Sequence, residues 1–143
     1  MRTEPVLHID VVVDNENKRK FLKSDGTGIS TIPFEATADG PFFTGVALPG
    51  GVDTQRIFPG GRRELSARYI LEGTDCAGNS CHIFVENNGV LHPREDGSTY
   101  FAAVPTMVTD SPALAFLEQD VFVCDVVARP QGPDITVLRV LGE

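Results

Sequence analysis

The sequence predicts an all-β chain: a single antiparallel β-barrel of about 8–10 strands, calycin- or lipocalin-like in outline, with one short helix. Three observations predict it. Apolar side chains recur with a period of two along most of the chain. Turn-forming residues punctuate it about every eight to twelve residues, the spacing of sandwiches and barrels. The chain's 14 glycines and 10 prolines in 143 residues favour many turns over long helices.

The first strand is read over Val6 to Val13, with Val6, His8, Asp10 and Val12 on one face and Leu7, Ile9, Val11 and Val13 on the other. A polar stretch, Asn15 to Lys18, separates it from two short strands at Phe21-Leu22 and Ile29 to Phe34, which are broken by the turn Ser24-Asp25-Gly26-Thr27-Gly28. Ala38-Asp39-Gly40-Pro41 is a further turn, followed by strands at Phe42 to Leu48 and Thr54 to Phe58 around Pro49-Gly50-Gly51. After Pro59-Gly60-Gly61 come Glu64 to Leu71, Cys81 to Glu86, Thr99 to Val104, Val121 to Ala128 and Ile135 to Leu141. Asn87-Asn88-Gly89, Ser111-Pro112 and the run from Arg129 to Pro133 are read as the connections between them. The one helical pattern is Pro112 to Gln119, with Ser111 as cap and proline at the first position.

No repeat, linker or low-complexity segment divides residues 1–143, and a chain this long can bury a core without disulfides, so one domain is expected. The net charge of −8 repels a phosphate backbone, and the only basic clusters, Lys18-Arg19-Lys20 and Arg62-Arg63, are short; nucleic acid is excluded as a partner. No apolar run approaches the length of a membrane span. The chain has an odd number of cysteines, Cys76, Cys81 and Cys124, and no charged-then-apolar leader, so the expected compartment is the cytoplasm. Cys76, Cys81 and His82 lack a second ligand pair at zinc-like spacing, so no metal is expected, and no nucleotide motif calls for a cofactor.

Chemistry must then come from scattered groups gathered by the barrel. In Leu48-Pro49-Gly50-Gly51-Val52-Asp53, two glycines free the backbone just before a carboxylate. This places Asp53 either at a barrel mouth, as a general base, or bonded to its own turn. Glu64, Ser66 and Arg68 share one face of their strand and Leu65, Ala67, Tyr69 and Leu71 the other. If the first face lines the lumen, Arg68 is a fixed cation that Glu64 orients; if it lies outside, the two form a surface pair of little worth. His82 shares a face with Glu86 and is either an acid–base group or an exposed residue at a hairpin end. His92 falls in a loop, and His8 covers the exterior or a contact between copies.

The order of short motifs adds a resemblance. Gly45, Leu48-Pro49-Gly50-Gly51 with Asp53, Ala67-Arg68-Tyr69, Asn87 with Gly89, Tyr100-Phe101 with Pro105, Phe116-Leu117 and Phe122-Val123 follow one another between about Phe42 and Val140. In that order they resemble a family of small bacterial and fungal β-barrel proteins catalogued as a domain of unknown function. The resemblance implies an antiparallel barrel and supports Asp53 and Arg68 as site residues. It assigns no reaction, though some members accompany small-molecule metabolism. The chain departs from the family at Thr54, where an aromatic residue is usual, and at Phe116 and Glu118, which stand for Trp and Asn. Such changes are expected to alter a pocket's shape and charge.

Three functions compete. The first is a cofactor-independent acid–base enzyme, an isomerase, lyase or cyclase, acting on a small, partly apolar organic molecule in the barrel. Asp53 is its base and Arg68 the stabiliser of developing negative charge, with Tyr69, Asn87, Tyr100, Glu118, Glu64 and His82 as binding groups. Arg68 and Tyr69, being adjacent, cannot both face the lumen unless a bulge intervenes. The second is a carrier of an apolar ligand, and the third a structural or self-associating barrel filled by its own side chains. They are separated by which way the Glu64, Ser66 and Arg68 row faces.

Overall fold

The alternation along the chain is realised as ten antiparallel strands in the computed structural model, which describes residues 1–143. They are β1 (Arg2–Val13), β2 (Arg19–Leu22), β3 (Gly28–Asp39), β4 (Phe43–Ala47), β5 (Val52–Ile57), β6 (Arg63–Asp75), β7 (Ser80–Pro93), β8 (Thr99–Thr109), β9 (Phe122–Val127) and β10 (Asp134–Gly142). One helical turn, α1 (Phe116–Gln119), lies between β8 and β9 behind a 3-10 turn at Pro112–Leu114. No helix is long and apolar enough to cross a membrane.

All ten strands belong to one sheet whose main path runs β8-β7-β6-β4-β3-β1-β10-β9. β2 pairs with the first half of β3, and β5 bridges β3 and β6. The end strands β8 and β9 pack against each other, so the sheet curls around an interior in a β-barrel-like form. The all-β, antiparallel expectation with one short helix holds.

Several boundaries differ, each for a physical reason. Asn87-Asn88-Gly89 is not a turn: all three residues pair within β7, opposite Ala67, Ser66 and Leu65 on one side and Pro105, Val104 and Ala103 on the other. Gly89 is required there by close approach, because a Cβ at that position would stand 2.5 Å from the carbonyl oxygen of Ala102. The real hairpin turn is at Arg94–Ser98, where Arg94 N–H donates to the Ser98 carbonyl and Asp96 accepts from Ser98. His92 accordingly ends a strand rather than sitting in a loop. Ser111 makes no cap bond; its hydroxyl donates to Asp75 Oδ2 at 2.7 Å instead.

The interior has two unlike halves. In one, Val6, Leu7, Ile9, Leu71, Ile83, Val85, Met107 and Val137 are almost wholly buried, and Leu114 and Leu117 beside α1 close that end. A register shift between Pro5 and Leu7 turns both Val6 and Leu7 inward, which strict alternation forbids. Phe116 joins this half, edge-on to Phe42 at 4.9 Å and beneath the Arg139 guanidinium. The other half is hollow.

Candidate functional site

The hollow half is an open-mouthed cavity of about 600 Å³ lined by inward-facing rows from eight strands. Each strand contributes every second residue: Val11 and Val13 from β1, Ile32 and Phe34 from β3, Asp53 and Gln55 from β5, and Leu65, Ala67 and Tyr69 from β6. Asn87, Gly89 and Leu91 from β7 and Thr99, Phe101 and Ala103 from β8 complete the far wall, with Val126 of β9 and Ile135 of β10 beside them. Ala128, Arg129, Gly132 and Pro133, between β9 and β10, form part of its rim. Thirteen of the 21 lining residues are hydrophobic, so a few polar groups stand out against an apolar wall.

Asp53 is the only carboxylate on that wall. Its Oδ2 accepts from Gln55 Nε2 at 2.7 Å, while Oδ1 is covered and has no hydrogen-bond partner. Gln55 cannot turn its amide over, because its carbonyl oxygen accepts from Arg63 Nη1 at 2.7 Å. Burial raises the pKa of Asp53 above the ordinary carboxylate value, and the bond from Gln55, the nearby Ser66 backbone N–H and the charge of Arg63 pull it only partly back. A carboxyl group so placed exchanges a proton more readily near neutrality than a solvated aspartate does.

Asp53, Ala67 and Asn87 form one cross-strand row, since Asp53 pairs with Ala67 and Ala67 with Asn87. Two strand spacings put Asp53 and Asn87 roughly 10 Å apart, with only the Ala67 methyl between them. Tyr69 is the next inward residue along β6, packed edge-on against Phe34 at 5.1 Å, and burial raises its hydroxyl pKa so that it stays protonated. The Tyr69 hydroxyl makes no hydrogen bond within the chain, and neither does the Asn87 amide nitrogen, whose oxygen partner is instead approached by Cys124 Sγ at 3.9 Å. Burial pushes the Cys124 thiol up to about 12, which leaves it unreactive as a nucleophile.

Of the sequence-predicted residues, the structure therefore brings Asp53, Tyr69 and Asn87 together. The others lie elsewhere. Arg68 points outward, 65% exposed, in a loose pair with Glu86 at 3.6 Å, and Glu64 pairs with Arg62 on the same outer face. The β6 ladder is regular through this region, so with Tyr69 turned inward its neighbour Arg68 must face out. His82 is exposed between Asp110 and Glu72, at 2.8 and 3.0 Å. Tyr100 lies outside, under the Arg94 guanidinium at 5.3 Å. Glu118 accepts from the Thr109 backbone N–H at the packed end. The three positions that depart from the family pattern, Thr54, Phe116 and Glu118, are all absent from the cavity wall, so they do not reshape it.

Two residues of the site escape pattern reading. Gln55 lies on the same face as Asp53, and that alternation was its available signal. Arg129 was hidden in a run that reads as a plain turn. Its Nη2 donates to Asp10 Oδ1 at 2.6 Å and to the Val11 carbonyl at 3.2 Å, and its Nε to the Gly132 carbonyl at 3.0 Å. Gly132 holds φ at +144° with Val11 O close enough to exclude a Cβ. Together they tie the rim to β1.

Comparison with known proteins agrees with this architecture. A family model described as "Protein of unknown function (DUF3237)" matches residues 1–140. A UPF0311 protein of Clostridium acetobutylicum is 33% identical over 103 residues, a stretch spanning 63% of this chain and 63% of that relative's length. A crystal structure of a protein with unknown function from Clostridium acetobutylicum ATCC 824 superposes with a TM-score of 0.84 at 29% identity, covering 98% of this chain and 99% of the other. A conserved protein from Rhodopseudomonas palustris gives a TM-score of 0.80 at 24% identity, with 98% and 97% of the two chains covered. A β-barrel-like protein from Acinetobacter baumannii AYE gives 0.80 at 21% identity, with 96% and 94% covered. The last two share the fold alone. On the match across residues 1–140, the chain belongs to the DUF3237 family.

Proposed function

We propose that the cavity binds a small, partly apolar organic molecule and that Asp53 moves a proton on it, in a cofactor-independent isomerisation or related acid–base reaction. The observation that carries this reading is a single carboxylate, its proton affinity raised by burial, on the wall of a largely apolar cavity of about 600 Å³. The Asp53 carboxylate takes a proton from a carbon next to a carbonyl. The C–H electron pair moves toward the carbonyl oxygen, and the charge that develops there is met by the Tyr69 hydroxyl and the Asn87 amide N–H. Asp53 then returns the proton to the same or a conjugated carbon, so the step balances without an oxidant, reductant or second substrate. Arg68 has no part in it, because its guanidinium is on the outer face.

The test is hydrogen–deuterium exchange at carbon. Wild-type protein in D₂O is expected to speed loss of the α-proton signals of enolisable aryl and alkyl ketones, followed by NMR, and Asp53→Asn to slow it by about 100-fold or more. The apolar lining favours a second reading, a carrier that shields its ligand. Tight binding of such ketones with no exchange above background in wild-type protein would select the carrier.

A further inference from the structure

We infer that the ligand of this cavity is uncharged, and that it is held by one oxygen acting as acceptor for both Tyr69 and Asn87. This rests on the binding reading above and specifies its ligand class. Counting unspent hydrogen-bonding capacity on the wall leads to it. Among the buried and half-buried residues of the wall, the free donors are the Tyr69 hydroxyl and the Asn87 amide nitrogen, neither of which has a partner within the chain; the Thr99 hydroxyl, also without one, is solvent-exposed at the start of β8. Two donors match the two lone pairs of one carbonyl oxygen.

The acceptors are largely committed. The Gln55 carbonyl oxygen is taken by Arg63, and Asn87 Oδ1 is approached by the Cys124 thiol. That leaves the Asp53 carboxyl group, one of whose oxygens already accepts from Gln55. An ammonium group brings three donors and would find too few acceptors, at the cost of its hydration.

An anionic ligand fares no better. Arg129 is the only cation on the wall, and it is paired with Asp10 and bonded to the carbonyls of Val11 and Gly132. A carboxylate or phosphate in the cavity would face Asp53 instead, inside a chain of net charge −8. A neutral molecule with an apolar body and one carbonyl oxygen satisfies both free donors and brings no charge against Asp53.

Three probes on one carbon skeleton test this: 2-acetylnaphthalene, 2-naphthoate and 2-(aminomethyl)naphthalene, each competed against the neutral fluorescent dye N-phenyl-1-naphthylamine on the full chain at neutral pH. The ketone is expected to displace the dye at least tenfold more effectively than either ion. Tyr69→Phe is expected to weaken the ketone while leaving the dye itself bound, and Asp53→Asn to narrow the deficit of the naphthoate. If the dye binds but the naphthoate or the amine competes as well as the ketone, the inference is overturned and cavity binding stands. If the dye does not bind at all, the binding reading falls with it.

Discussion

Gln55 donates to Asp53 at 2.7 Å with an amide that Arg63 holds in one orientation. This relay sets how strongly the Asp53 carboxyl group retains its proton. Gln55→Leu removes the only side-chain bond that stabilises the ionised form, so the pKa of Asp53 is expected to rise further. In a pH profile of carbon exchange the acid limb moves to higher pH in this variant, while affinity for a neutral ligand changes little. A profile that stays in place would show that Asp53 does not set the rate.

Asp53 also bears on stability, with a definite sign. Its folded pKa lies above the ordinary value of 3.8, so the folded state binds the extra proton. Its contribution to folding is greatest below that value and is lost as pH rises through the folded pKa. Burial makes the ionised group costly to the fold, and Asp53→Asn is expected to keep or raise the thermal midpoint while abolishing turnover. Scanning calorimetry of both proteins at pH 7 decides it, and a clear fall in the midpoint would make Asp53 a structural residue.

Ala67 keeps the space between Asp53 and Asn87 open. Ala67→Phe puts a ring there without burying a polar group. The expected outcome is loss of N-phenyl-1-naphthylamine fluorescence enhancement with circular dichroism unchanged. Arg68→Ala, one residue along and on the outer face, is expected to leave binding unaltered and to change stability by less than about 0.5 kcal/mol in urea titrations.

His8 and His82 each stand between two carboxylates on the outer surface, His8 between Asp39 and Asp134 and His82 between Asp110 and Glu72. Both pKa values are raised above 6.5, chiefly by those hydrogen bonds. The stabilisation they supply is complete below the unfolded pKa near 6.5 and is lost as pH rises through the folded values. Thermal midpoints are expected to decline above neutrality, and the double variant His8→Asn, His82→Asn to flatten that decline.

The rim is expected to depend on Arg129. Arg129→Ala leaves Asp10 without its partner and the carbonyls of Val11 and Gly132 without a donor. A loss of about 1–3 kcal/mol in urea denaturation is expected, together with faster amide exchange at Val11 and Val13, whose N–H groups bond to Pro133 and Gln131 in the same segment.

The fold class was legible because alternation survives in almost every strand, and because turn residues mark most of the strand ends. Asn87-Asn88-Gly89 misled for a reason local to the fold: residues that usually end strands were retained inside β7, where one lines the cavity and another makes room for β8. Asp53 was legible through its glycines, and the inward row of Leu65, Ala67 and Tyr69 through its period. The side of the sheet on which that row lay was not, since alternation separates two faces without saying which one is enclosed. Arg129 was invisible for the opposite reason: its partners, Asp10 and Val11, are more than a hundred residues away in sequence.

The split interior has a consequence for how such a chain diverges. Residues that hold the fold and residues that would meet a ligand follow one another along the inward faces of the same strands: Leu71 then Tyr69 on β6, Val85 then Asn87 on β7, and Met107, Pro105 and Ala103 on β8. Val11, Phe34, Tyr69 and Ile135 belong to both sets, whereas Leu65, Leu91, Phe101 and Ala103 line the cavity outside the core cluster, so selection can rewrite molecular preference at those four one side chain at a time. A laboratory library confined to Leu65, Leu91, Phe101 and Ala103 begins from the same separation.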